Sequence, residues 1–511
     1  MKRLTLYSLL AALLLFCSSC GEKFLNVLPE DEITAVHFWE DEGDVQLALN
    51  GLYSVLRQHA IYGYGPGLDA CTPNAYQWAE WEGKEQQIGN GSVTTSTAGL
   101  VSDRWTNCYK IIYRADYFFE HIDEVEDLDA DAKKGYVGEA HFLRGVAYAL
   151  LAETYGGAPI VDSTLSTEAA RQVERASRKA TWDKAIADYD LAIDNLQPTA
   201  PEIGRATKGA ALGMKMRACL YQNKYEEVLK LADQIDALGL YSLYPSYKGM
   251  FQLDNEDNQG VLFDVQFMAG ENEQGSVFDR LFQPQNLKYG ISGSNSVAPI
   301  QDLVDAYETI DGSPVDPDHP YDNRDPRLDF TILRPGATFQ GQLYPKEIKN
   351  HTGQRVGFGI RKYTIETMPV IANQSPLNFI VLRYANVILA KAEALIETNQ
   401  DIDGAIDLIN KIRTSREDVH LTPLSHGLSQ SEARKKLRHE RRIEFALEGQ
   451  YWADIKRWNI GKSLYPVPVR AADGSLIETK FPKGYNEQYN LLPIPESEIS
   501  LNPNLEQNAG W

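Results

Sequence analysis

Between positions 62 and 82 the chain reads YGYGPGLDACTPNAYQWAEWE. Five rings, Tyr62, Tyr64, Tyr76, Trp78 and Trp81, fall in this short stretch beside Asp69 and Asn74. Flat rings offer a large contact area at little conformational-entropy cost, and Tyr and Trp add a polar handle. Carboxylates and amides next to them can pair with hydroxyl groups. Together they have the chemistry to hold a sugar, which has apolar C–H faces and a rim of hydroxyls. Gly63, Gly65, Pro66 and Gly67 predict a loop that leaves several rings exposed. An exposed apolar patch marks a binding site. In an extended run, Tyr76 and Trp78 share one face while Gln77 and Trp81 take the other. The competing expectation is that these aromatics seal the helices beneath. A second candidate is the polar stretch 268–295, with Asn272, Arg280, Tyr289 and Asn295, chosen on length and polarity alone.

Cys20 is the other chemically distinctive residue. Lys2 and Arg3 precede an apolar run, Leu4 to Phe16, that is too short to span a membrane. Ser18 and Ser19 are the small residues a signal peptidase requires. The pattern predicts an export signal over 1–19. It resembles a lipobox whose cysteine, Cys20, carries diacylglycerol, although Cys17 stands where that pattern favours Leu. Such a lipid anchors a protein to a membrane without spanning it.

The rest of the composition excludes classes. The formal charge of −21 falls to −23 without Lys2 and Arg3, which disfavours nucleic acid and flat adsorption to anionic lipid. Cys71, Cys108 and Cys219, left after the signal region, form neither a disulfide framework nor a zinc pattern. There is no HExxH, GxSxG, phosphate loop, paired-carboxylate signature or EF-hand loop. The expectation is therefore no catalytic residues, no metal and no cofactor.

The elements that position the candidate residues are mostly helical. Apolar periodicity predicts helices over about 38–58, from Trp105, through EAHFLRGVAYALLAETYGGAPIV, over 182–196 and 206–221, and from Lys224. The 210–232 segment resembles a tetratricopeptide repeat, and one repeat cannot bury its own faces, so several pairs should stack. GVLFDVQF alternates as a strand. Residues 268–375 have little periodicity. Helices are expected again over FIVLRYANVILAKAEALIE, GAIDLINKIRTSR and SEARKKLRHERRIEFALEGQYWADIKRW, with an irregular end from Gly461. In the last helix Glu440, Arg441, Arg442, Glu444 and Glu448 are expected to pair at helical spacing around buried Ile443, Leu447, Trp452 and Ile455. The fold class is mainly α: stacked tetratricopeptide-like helical hairpins with long irregular loops and a few short strands.

Several of these segments, in this order, resemble the SusD/RagB family of Bacteroidetes outer-membrane lipoproteins: the EAHFLRG helix, GRATKGAALGMKMRACLY, NRDPRLDFTI, LRYANVILAKAEALIE, HERRIEFALEGQYWADIKRW and the ending YNLLPIPESEISLNPNLEQNAGW. The resemblance implies a non-catalytic, lipid-anchored protein of the cell surface. It would capture a nutrient, most often an oligosaccharide or polysaccharide, over a SusC-like TonB-dependent transporter. It also implies that the loop after the first helix contributes to the ligand platform. The organisation expected is a signal at 1–19, a tether at 20–34 and one SusD-like domain at 35–511. Within that domain, 35–255 is a helical-repeat scaffold with a ligand loop at 62–102, 256–375 is loop-rich, and 376–511 holds the C-terminal helices and tail. A binder of a peptide or other nutrient, a tetratricopeptide-type assembly protein and a glycoside hydrolase are the alternatives.

Overall fold

In a computed structural model, the described residues are 38–79, 83–270, 274–284, 293–344, 356–366 and 374–511. Cys20, Trp81, Asn272 and Tyr289 lie outside them.

The first helix, α1 (Glu42–Leu56), starts where Asp41 and Asp44 each accept the other's backbone N–H at 3.2 Å. This reciprocal pair satisfies donors that a helix start otherwise leaves orphaned. Then follow α2 (Leu100–His121), α3 (Ala130–Thr154), α4 (Arg178–Asn195), α5 (Lys208–Tyr221) and α6 (Tyr225–Ala237). Asp129, Ser177 and Thr207 cap α3, α4 and α5 through their side-chain oxygens. The C-terminal part supplies α7 (Tyr384–Thr398), α8 (Ile402–Thr414), α9 (Gln430–Glu444) and α10 (Tyr451–Arg457). From α2 to α9 each helix packs on the next, and α6 meets α7, so the hairpin stack runs on across the long segment between them. Trp182, Ala185, Tyr189 and Ala192 form the buried stripe of α4, as its 3–4 spacing predicts.

The strands are short, and those of three residues or more among the described residues are β1 (Ala75–Gln77), β2 (Val261–Val265), β3 (Val297–Pro299), β4 (Phe379–Arg383), β5 (Val467–Arg470) and β6 (Leu476–Lys480). β2 pairs antiparallel with β4, which clips together the two ends of the intervening segment. FIVLR, expected to open a helix, is therefore strand β4. Its aromatic and β-branched residues pair with β2, and the helix starts only at Tyr384, after the Asn386 side chain accepts the Arg383 N–H at 3.0 Å. The expected irregular tail contains the β5–β6 hairpin.

The segment 431–458 is not one helix. α9 stops at Glu444, and Leu447 (φ 61°) and Gly449 (φ 71°) turn through the left-handed region before α10. Ile443, Leu447, Trp452 and Ile455 are buried as expected, but so are Glu440, Arg441, Glu444 and Glu448. Their partners come mainly from distant elements rather than from helical neighbours. Glu444 accepts from Arg383 (2.6 Å), Arg327 (2.9 Å) and Arg416 (2.5 Å). Glu440 pairs with Arg327 (2.5 Å) and Arg413 (3.0 Å), and Glu448 with Lys362 (2.7 Å) and Arg383 (2.8 Å). Burial alone would raise the Glu444 carboxyl; Arg416, Arg383 and Arg327 instead hold it well below the ordinary carboxylate range.

Other buried carboxyls are less well compensated: Glu139 has Arg205 at 3.6 Å, while Asp264 and Asp279 make no ion pair among the described residues. Burial pushes Glu139 and Asp264 up to about 7, and Asp279 to about 6. These groups hold protons in the folded chain that the unfolded chain releases near pH 4, so their stabilisation is full at low pH and lost as pH rises through 6 to 7. Glu440, Glu444 and Glu448 have the opposite sign: their stabilisation is present above about pH 4.5 and lost below it. The melting temperature is therefore expected to peak near pH 5 to 5.5 and fall by pH 7.5 to 8 (scanning calorimetry across about pH 4 to 8). A midpoint that rises steadily to pH 8 would contradict this balance.

Candidate ligand-binding face

The glycines of the 62–82 stretch do not open it into a loop; they let it pack. A Cβ at Gly65 would sit 2.0 Å from the Phe379 ring, and one at Gly67 2.0 Å from the Tyr64 ring. The backbone runs as a π-helical turn (His59–Gly63), a 3-10 helix (Gly65–Cys71) and β1. Tyr64 is fully buried, stacked on His59 at 4.0 Å between ring centroids and 5.1 Å from Phe282. Tyr62 lies on Phe379, 6.3 Å between centroids, and borders a small internal cavity with Trp182, Tyr189 and Trp452. Tyr76 is buried with Phe481, Val467 and Ala298. Asn74 donates to Asp69 Oδ1 (2.7 Å) and accepts from Arg442 Nε (2.9 Å), while Asp69 Oδ2 accepts the Gly449 N–H (3.1 Å). Burial raises Asp69 to about 6. The exposure expected of Tyr62, Tyr64, Tyr76, Asp69 and Asn74 is thus corrected. Their polar atoms and rings join the N-terminal segment to the C-terminal helices.

Trp78 differs. It stands half-buried just past β1, its backbone N–H on the Ser296 carbonyl (3.1 Å) and its indole Nε1 on the Asn295 carbonyl (2.8 Å). β1 pairs antiparallel with β3 in the register Ala75–Pro299, Tyr76–Ala298 and Gln77–Val297. That pairing joins the two regions singled out in the sequence. Ser294 donates to the Arg280 carbonyl (2.7 Å) and Ser296 to that of Leu281 (2.6 Å). Arg280 is partly exposed, and its Nε has no hydrogen-bond partner among the described residues. Trp78 and Arg280, about 200 positions apart, are thus tied to one strand.

Of the polar groups behind them, Asn295 was singled out from the sequence and the glutamines were not. Gln340 donates to the Gln283 side-chain carbonyl (3.1 Å), and Asn295 Nδ2 donates to the Phe358 carbonyl (3.0 Å). Gln283 Nε2 and Asn295 Oδ1 are buried without a partner among the described residues. His59 and Gln77 both bond Glu85, at 3.0 and 2.9 Å. No local pattern marks Gln283, Gln340 or His59, because long-range strand pairing and packing bring them here. An indole face and a guanidinium can hold a hydroxylated ring from its face and its rim, with the buried amides behind them bracing the segments that carry both. Among the described residues, no group of three or more His, Cys, Asp or Glu is placed to hold a metal ion.

Known proteins share this architecture. A family described as "SusD family" matches residues 259–511, and one described as "Starch-binding associating with outer membrane" matches 23–220. SusD-like protein P25 of Formosa agariphila is 26% identical over 532 aligned positions, covering 96% of this chain and 95% of that one. A SusD-like protein from Bacteroides fragilis superposes with a TM-score of 0.82 at 28% identity, covering 95% of this chain and 100% of its own. A SusD-like carbohydrate binding protein from the same species gives 0.81 at 26% identity, covering 92% and 100%. With the matches running from residue 23 to the C-terminus and the same helical stack in both solved structures, the chain belongs to the SusD family.

Proposed function

We propose that this protein is a non-catalytic binder of an oligosaccharide or polysaccharide. It holds its ligand on the face around Trp78 and Arg280 and delivers it to a SusC-like TonB-dependent barrel in the outer membrane. The observation that carries this reading is the partly buried Trp78, its indole fixed by the Nε1 bond to Asn295 where the two polar segments converge. Trp81, Tyr289 and Asn272 lie in sequence next to these segments, outside the described residues, and are proposed to complete the face. The description of the N-terminal family match and the carbohydrate-binding relative support a glycan as the ligand and the outer membrane as the location.

The same reading keeps the organisation inferred from the sequence: a signal at 1–19, lipid on Cys20, a tether at 20–34 and one domain beyond it. Titrating the soluble chain against a panel of glycans by calorimetry, with chromatography of the mixtures, tests the binding role. Saturable binding without shortened products is expected; steady release of smaller sugars would overturn it. Feeding cells a tagged fatty acid and extracting membranes gently should yield labelled protein together with a barrel partner. Unlabelled protein recovered alone would refute both the anchor and the partnership.

A further inference from the structure

The cavity that Tyr62 borders holds about 70 Å³ and is enclosed mainly by α2, α3, α4, α5 and α10. It reaches the surface past Ala149 and Glu153 of α3 and Arg217 and Tyr221 of α5, all partly exposed. Two guanidiniums line it. Arg104, only 2% exposed, donates from Nε to the Ala60 carbonyl (2.8 Å) and from Nη1 to Thr154 Oγ1 (3.2 Å). Arg217 donates from Nη2 to the Val381 carbonyl. Neither makes an ion pair among the described residues.

The carboxylates at the cavity are already engaged. Glu153 Oε1 accepts from Lys456 Nζ (3.2 Å), an ammonium that lies 3.8 Å from the centre of the Trp452 ring. Glu448 is met by Lys362 and Arg383. Arg104, Arg217 and Lys456 therefore share the one carboxylate of Glu153. A chain with a formal charge of −21 thus keeps an excess of positive charge around an interior hollow. Buried cations without counter-charge are costly. Arg327 and Arg383, equally buried, each meet two carboxylates or more. The Tyr189 hydroxyl is an independent sign. Tyr189 is fully buried and lines the same cavity, and its Oη has no hydrogen-bond partner among the described residues. A spare hydroxyl beside two guanidiniums suits an acceptor that carries negative charge.

We infer that this cavity binds a small oxyanion, a carboxylate or a phosphate, between Arg104, Arg217 and Tyr189. Guanidinium N–H groups match the oxygens of either group, and charge-assisted bonds of this kind are the strong ones. The volume admits roughly five atoms of the size of a water oxygen, which fits acetate or inorganic phosphate and is too small for a sugar ring. Trp78 and Arg280 do not line it, so the site is separate from the glycan face. Its occupant would tie α2, α4 and α5 together where they meet the C-terminal helix α10.

The test is calorimetry of the full mature chain with sodium acetate and, separately, sodium phosphate, at an ionic strength held constant with chloride. Thermal midpoints are recorded beside it. Saturable binding of at least one of the two is expected, with a midpoint that rises with its concentration. The tighter binder tells a carboxylate from a phosphate as the group recognised. Arg217→Gln should weaken that binding roughly ten-fold or more. Tyr189→Phe removes only a hydroxyl that no described residue bonds, so it should keep the unliganded midpoint and lower the affinity several-fold. Arg171→Gln, which changes an exposed cation outside the cavity, should bind like the native chain. Three results would overturn the assignment. They are no saturable binding of either anion, an equal rise in midpoint with chloride alone, and an affinity unmoved by Arg217→Gln or, should that variant not fold, by Tyr189→Phe. None of these variants touches the glycan face, so failure of either reading is recognisable by itself.

Discussion

Glu444→Ala is expected to cost about 3–5 kcal/mol of stability. The carboxylate is fully buried and accepts from three guanidiniums, those of Arg327, Arg383 and Arg416. Arg327 and Arg383 are themselves among the largest fully buried side chains of the chain. Removing the acid leaves cations in a low-dielectric interior with fewer partners than charges, and that uncompensated burial dominates the cost. Glu444→Gln keeps the shape and still loses the charge, so it should recover only a minor part. Denaturant titration of both variants measures this. A loss under about 1 kcal/mol for Glu444→Ala would show that water or rearranged carboxylates replace it readily. The positions of its partners explain why the effect should be global. Arg327 comes from the loop-rich segment, Arg383 from β4 and Arg416 from just beyond α8. One carboxylate therefore joins three parts of the chain.

Gly67→Ala is expected to be the second severe change. Its Cβ would lie 2.0 Å from Tyr64 Cε1, and Tyr64 is held between His59 and Phe282. The added methyl has to displace a fully buried ring, and overpacking of this kind costs about 1–3 kcal/mol or more. The ring is the cause of the clash, so Gly67→Ala should cost less when Tyr64→Leu is already present. Thermal midpoints of the two single variants and the double variant read out this coupling. Additive losses would show that the backbone near Gly67, rather than the ring, sets the cost.

These two positions show what was legible in the sequence. Helical periodicity gave α4 and α5 to within a few residues, since Trp182, Ala185 and Tyr189 could share a face only on a helix. The break between α9 and α10 left no such trace. EFALEG is built mostly of good helix formers, and the left-handed turn at Leu447 is imposed by the buried ion network around Glu444 and Glu448. The glycines at 65 and 67 misled for a physical reason. A glycine that frees a loop and a glycine that admits a ring look identical in sequence, and only the position of Phe379 or Tyr64 separates them.

The candidate face was half legible. Trp78 stood out by residue type, and Arg280 by the polarity of its segment. Their convergence depends on two three-residue strands about 220 positions apart, too short to give a period and too distant to give a turn signal. Gln283 and Gln340 arrive with that pairing and with the turn at Gln340 (φ 49°).

Ligand binding on this face depends most directly on Trp78. The decisive measurement is calorimetry of Trp78→Ala against the glycan that the native protein binds, with the thermal midpoint of each protein recorded beside it. Loss of one stacking ring should weaken binding by about 1–3 kcal/mol, roughly ten- to hundred-fold, while the position at the edge of the core limits the fall in midpoint to a few degrees. Unchanged affinity together with a midpoint lowered by much more would contradict the binding role, since Trp78 would then serve only the Tyr76–Phe481 core it packs against.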